Sequence, residues 1–129
     1  KPCLASGRGE ILEEILLDLS PFKILLVYPG IIINTAWAFT QIIPKENVNI
    51  KLKELLQHPI STWQKNIVND FETPVFNAHP EILKIKLLLY ERGALYASLS
   101  GSGSSVFGIF PKDRVPVTNF PPHYFCRFA

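Results

Sequence analysis

Between Leu95 and Phe110 two apolar runs are separated by a loop of glycines and serines, and no other stretch limits the possible folds as tightly. Tyr96, Ser98 and Ser100 alternate with Leu95, Ala97 and Leu99, while Val106-Phe107-Gly108-Ile109-Phe110 is β-branched and aromatic, so both runs read as buried strands. Gly101 and Gly103 open backbone conformations closed to other residues, and Ser102, Ser104 and Ser105 offer hydroxyls. Such a loop can aim N–H groups at an anion. A plain hairpin turn that needs glycine only for a positive φ has the same composition, so the loop alone leaves both readings open.

The rest of the chain supplies the partners for this hairpin. Phe22–Tyr28 is a strand bounded by Pro21 and by Pro29-Gly30, and its apolar character makes it a central one. Asn34 or Thr35 can cap a short helix over Ala36–Ile42 that ends before Pro44. Asn49 is placed to cap a helix over Ile50–Gln57, Pro59 restarts one near Ile60, and Trp63, Ile67, Val68 and Phe71 fall near helical spacing. A short helix over Phe71–Ala78 follows. The plainest helix is Pro80–Arg92: proline suits its first position, Ile82, Ile85, Leu88 and Leu89 trace one face, and Gly93 closes it. Pro111, Pro116, Pro121 and Pro122 mark irregular chain, and Tyr124–Phe128 is a last strand at a sheet edge. Lys1–Glu10, with Gly7 and Gly9, reads as a turn with a short strand or an extended lead-in.

Strands at Phe22–Tyr28, Ala94–Leu99, Ser105–Phe110 and Tyr124–Phe128, with helices between the first and the second, predict an α+β sandwich. Its four-stranded sheet is mainly antiparallel, with helices on one face, in the ferredoxin-like manner. A chain of 129 residues that is 47% hydrophobic can bury one ordinary core, which makes a single domain the default. The formal net charge is only +2 and basic residues are scattered among acidic ones, so neither nucleic acid nor a membrane surface is indicated as partner. The apolar runs fall far short of the roughly 20 residues that cross a bilayer. Cys3 and Cys126 lie at opposite ends without metal-ligand spacing and read as free thiols in a cytoplasmic protein. The start Lys1-Pro2-Cys3, without Met, reads as an excised piece.

No catalytic constellation is complete. His58, His79 and His123 lack partners at ligand spacing, and His58 and His79 each precede a proline, where helix capping explains them; metal binding is not expected. The serines of the loop form no G-x-S-x-G elbow. Asn69, Asp70 and Glu72 sit on a helical stretch and read as caps between two short helices. Trp37 and Phe39, flanked by alanines, read as core fillers, with a stacking role for Phe39 as the alternative.

Three motifs in order sharpen this picture: Ala5-Ser6-Gly7-Arg8-Gly9-Glu10, Asn69-Asp70-Phe71-Glu72, and Leu99-Ser100-Gly101-Ser102-Gly103-Ser104-Ser105-Val106-Phe107-Gly108. Together they resemble the C-terminal part of GHMP-family small-molecule kinases. With Pro29-Gly30 and Thr35-Ala36-Trp37-Ala38-Phe39, they look most like a member whose substrate is a cytidylyl-bearing alcohol. The resemblance covers nearly the whole chain. It implies a two-domain enzyme that uses ATP and Mg, in which residues 1–21 end the N-terminal domain and linker and residues 22–129 form the C-terminal domain. The N-terminal domain, with its phosphate loop, catalytic Asp and Lys, is missing from this sequence, so the chain alone is expected to be inactive. By the same resemblance Gly101, Ser102, Gly103, Ser104 and Ser105 form the loop beside the ATP phosphates, and Phe39 lines the cytidine pocket with Thr35 near it. The implied partners are ATP, a small-molecule substrate and the missing domain, with a monomer or weak dimer as the assembly. Without that neighbour the loop is expected to be mobile or turned away. The proline-rich stretch from Pro111 departs from the family, where a helix often follows the glycine hairpin. Other GHMP kinases acting on mevalonate, homoserine or a sugar, a stand-alone ferredoxin-like binding module, and a dimerisation domain remain alternatives.

Overall fold

A computed structural model describes residues 1–44 and 48–129. At the start, β1 (Cys3–Ser6) and β2 (Ile11–Glu14) pair antiparallel as a hairpin of their own. β3 (Phe22–Tyr28) then enters a second sheet, and the chain passes through α1 (Thr35–Thr40), α2 (Val48–Leu55), a 3-10 turn at Ile60–Thr62, α3 (Trp63–Asn66), α4 (Glu72–Ala78) and α5 (Pro80–Glu91). It returns as β4 (Tyr96–Leu99), β5 (Val106–Pro111) and β6 (Phe125–Phe128). The second sheet has the order β4-β5-β3-β6 with every neighbouring pair antiparallel.

This is the predicted α+β sheet, with β3 central and β6 at an edge. Its strand order is that of the ferredoxin-like split βαβ unit, in which a second helix normally joins the last two strands. Here that crossover is the irregular, proline-rich segment after Pro111, where each proline denies a helix its N–H.

Alternation along the strands divides the core. Leu25, Val27, Ala97, Leu99, Val106 and Phe110 face Val75 of α4 and Ile82, Ile85 and Leu89 of α5. Full burial of each large aliphatic side chain contributes about 1.5–3 kcal/mol, so this face holds most of the stability. Tyr96 and Ile109 face the other way and pack with Ile60 and Trp63. The sheet therefore carries α4 and α5 on one face, as predicted, and a smaller cover from the Ile60–Asn66 segment on the other.

Several local expectations need correction. α3 stops at Asn66 because Ile67 is extended (φ −115°, ψ 114°), so Val68 and Phe71 do not continue it. α2 starts at Val48, which puts Asn49 inside the helix rather than ahead of it. His79 stands before α5 without a side-chain cap bond; its Nδ1 lies 3.6 Å from Glu81. His58 uses its carbonyl, which accepts from Trp63 Nε1 at 3.1 Å, and Pro59 occupies the cap position. On α1 it is Ala38 that is buried, while Trp37 and Phe39 are 37% and 60% exposed, so neither aromatic fills the core.

Candidate functional site

The loop from Ser100 to Ser105 joins two strands in register, Leu99 opposite Val106. Ser100 N–H donates to Ser105 O at 2.8 Å and Gly103 N–H to Ser100 O at 3.0 Å, which closes the turn. Gly101 (φ 57°) and Gly103 (φ 96°) both occupy the left-handed region where glycine is favoured. A Cβ on Gly103 would come within 3.1 Å of Leu99 Cδ1 and 3.5 Å of Ile33 Cγ1, whereas one on Gly101 would meet nothing within 4 Å. Gly103 is thus constrained by space as well as by φ. The N–H groups of Gly101, Ser102 and Ser105 have no acceptor among the described residues.

Several contacts within the chain reach the loop. Ser104 is buried and its hydroxyl donates to Ile31 O. Ser102 Oγ lies 3.3 Å from Thr35 Oγ1, a hydrogen bond across 67 residues. Thr35 is there because Asn34 caps α1: its Oδ1 accepts the Trp37 N–H at 3.0 Å, and the helix starts with Thr35 turned to the loop. One turn further, Phe39 keeps its ring exposed and meets Phe71 edge-on, with centroids 5.1 Å apart and planes at 87°. All the predicted site residues are thereby placed: Gly101 to Ser105 form the loop, Thr35 touches it, and Phe39 stands beyond Thr35 on the same helix.

Of two residues read as helix caps, Asn69 holds the loop and Glu72 holds the strand that leads into it. Asn69 Nδ2 donates to Leu99 O at 2.9 Å and to Gly101 O at 2.8 Å, while its Oδ1 accepts the Phe71 N–H at 3.0 Å. Glu72 is buried, and its carboxylate accepts from the Leu99 N–H and Ser98 Oγ and pairs with Lys86 of α5. It caps nothing. The extended Ile67 makes this possible by turning the chain toward β4, where Tyr96 Oη donates to Ile67 O at 3.1 Å. Burial pushes the Tyr96 phenol up to about 12. Tyr90 Oη donates to Ala97 O at 3.3 Å, and burial raises its phenol too. The signal for Asn69 and Glu72 in the sequence was their place in one short motif that resembles the GHMP kinases; the pattern of apolar residues could not reveal their targets.

Chemically, the loop presents uncommitted N–H groups and small hydroxyls beside a second hydroxyl from Thr35, a surface that suits anionic oxygens. An exposed aromatic face nearby suits a flat ring. No group of three His, Cys, Asp or Glu among the described residues could hold a metal ion, so no metal step is assigned to this chain. No helix among them is long and apolar enough to cross a membrane. Cys3 and Cys126 are both exposed and unbridged.

Residues 52–117 match the family described as GHMP kinases C terminal. Proteins named 4-diphosphocytidyl-2-C-methyl-D-erythritol kinase are similar to this chain. The one from Azobacteroides pseudotrichonymphae genomovar. CFP2 is 42% identical over 93% of the chain, and the one from Bacteroides thetaiotaomicron is 41% identical over 97%. The alignments take in 45% and 46% of those proteins, so the chain spans less than half the length of the curated relatives it matches. A crystal structure of 4-(cytidine 5'-diphospho)-2C-methyl-D-erythritol kinase superposes with a TM-score of 0.59 at 25% identity, over 82% of this chain and 39% of that one. The glycine loop lies inside the matched segment, and on sequence and fold together the chain belongs to the GHMP kinase C-terminal family.

Proposed function

We propose that this chain is the C-terminal part of an ATP-dependent kinase that phosphorylates the 2-hydroxyl of 4-diphosphocytidyl-2-C-methyl-D-erythritol in isoprenoid biosynthesis. In this reading residues 22–129 are the C-terminal domain, and residues 1–21 end an N-terminal domain that supplies the phosphate loop, the base and a lysine. The observation that carries it is the Thr35–Ser102 contact, which joins the glycine loop to the helix bearing an exposed Phe39. Transfer makes a bond from the substrate oxygen to the γ-phosphorus, passes the hydroxyl proton to the base of the N-terminal domain and breaks the bond to the ADP oxygen, so the charge to be stabilised spreads over the phosphoryl oxygens. The backbone N–H groups of Gly101, Ser102 and Ser105 are suited to that task, because they have no acceptor of their own among the described residues and contacts to distant residues position the loop. Magnesium would arrive with the nucleotide or on residues outside this chain. The enzyme works in the cytoplasm, as a monomer or weak dimer, and the chain alone is inactive because half a cleft cannot gather nucleotide, base and acceptor.

Phe39 supplies the test. Stacking on an aromatic face is worth about 1–3 kcal/mol per base, so Phe39→Ala in the full-length protein raises KM for the cytidylyl alcohol about 5- to 150-fold. The KM for ATP stays near wild type. Equal rises in both KM values, or a loss of fold alone, would count against the reading.

A further inference from the structure

Glu72 does not face the proposed phosphate side, yet its bonds lead directly to the loop. Oε1 accepts from the Leu99 N–H at 3.0 Å and from Ser98 Oγ at 3.1 Å, and Oε2 receives the Lys86 ammonium at 2.6 Å. Asn69 holds the carbonyl of the same Leu99. The residue from which the loop springs is therefore gripped by both of its backbone groups. Its side chain continues the path, since Leu99 Cδ1 lies 3.1 Å from where a Cβ on Gly103 would stand.

Stability does not by itself explain a carboxylate buried at this point against a half-buried lysine. Taking a carboxylate out of water costs several kcal/mol, and apolar residues of similar volume often stabilise such a spot as well or better. What a charge-assisted hydrogen bond adds is a short, directional contact. We propose that Glu72, balanced by Lys86, is a positioning residue for the glycine loop: it fixes Leu99 and, through Leu99 and Gly103, the placement of the loop N–H groups. This rests on the kinase reading for its consequence in turnover, while the positioning itself can be observed without turnover.

The experiment compares the full-length wild type with Glu72→Gln and with the double variant Glu72→Leu/Lys86→Met, in which apolar bulk replaces the pair. A displacement of about 1 Å can cost on the order of 10²-fold, so kcat falls by about that factor in the double variant. The loss belongs to the transition state, so KM for each substrate stays within about twofold. In the same variants the backbone amide resonances of Gly101 and Gly103 shift, and those of β6 do not. Glu72→Gln keeps an acceptor for the Leu99 N–H and shows the smaller effect on both measures; it also carries the test if the double variant fails to fold. Wild-type kcat with unshifted Gly101 and Gly103 amides in a folded variant overturns the proposal. If the wild type phosphorylates no cytidylyl alcohol while the amides still shift, the kinase reading fails and the positioning stands.

Discussion

Two turns in this molecule share a Gly-x-Gly spacing and nearly the same glycine φ angles, yet only one is tied to distant elements of the chain. In Ser6-Gly7-Arg8-Gly9-Glu10 the glycines have φ 67° and 97°; in Ser100-Gly101-Ser102-Gly103-Ser104 they have φ 57° and 96°. Each joins two antiparallel strands. The first turn closes on itself, through Gly9 N–H to Ser6 O and Arg8 N–H to the Glu10 carboxylate, and β2 behind it is exposed throughout. The exposed Lys53–Glu13 pair links that hairpin to α2, a kind of contact worth about 0–1 kcal/mol. The second turn is held by Asn69, by Thr35 and by the Ser104 bond to Ile31, from elements far away in the chain. Glycine spacing supplies a backbone shape, and long-range partners decide whether that shape is fixed against the core.

The sharpest way to separate the two turns is to fill each with a side chain. Gly103→Val in the full-length protein places a branched Cβ against Leu99 and Ile33 at a φ that valine resists, and turnover should fall by about 10²-fold or more. Gly9→Val meets no neighbour within 4 Å, so it strains only the local turn and leaves the β4–β5 loop as it was. A Gly103→Val enzyme with unaltered rate would erase the distinction.

Removing a long-range partner is the next test. Asn69→Ala strips donors from Leu99 O and Gly101 O, and unfolding by urea should show a loss of about 1–3 kcal/mol, the usual penalty for partly buried polar groups left without a partner. A loss below a few tenths would mean that water replaces the amide at no cost.

Alkaline pH gives the smallest and most selective test. The unfolded Tyr96 phenol ionises near 10 and the folded one holds its proton to about 12, so its contribution is complete below pH 10 and is lost as pH rises from 10 to 12. Since Tyr96 Oη donates to Ile67 O, just ahead of Asn69, hydrogen-exchange protection of the β4–β5 loop should fall in that window. The β1–β2 turn has no such support and should not follow it, and Tyr96→Phe should flatten the pH dependence of stability.

Local patterns were enough to recover the sheet. β-branched and aromatic runs bounded by proline and glycine located β3 to the residue, and Pro80 with the Ile82, Ile85, Leu89 stripe located α5. The cap at Asn34 was legible because it acts within one turn of chain. Asn69 and Glu72 were legible only as a motif, since their targets lie 26 to 32 residues downstream and no periodicity encodes such a distance. The aromatic pair on α1 misled because spacing reports which residues share a helix face, not whether anything covers that face. Ile67 misled for a related reason: apolar residues at helical intervals continue across a break, and the break is imposed by what β4 needs from that segment.

The side chains gathered on β4 also decide how this sheet can fail. Ala97 O is taken by Tyr90, and Leu99 N–H and O by Glu72 and Asn69, so the outer margin of β4 has three of its outward main-chain groups occupied by side chains. A foreign strand seeking to add there would have to displace a buried carboxylate and an amide. At the other margin β6 is exposed along its whole length, with Cys126 and Arg127 in its middle. Edge-to-edge addition to the four-stranded sheet is therefore easier at β6, where a single arginine is the charged guard, than at β4, where it would have to displace side-chain bonds.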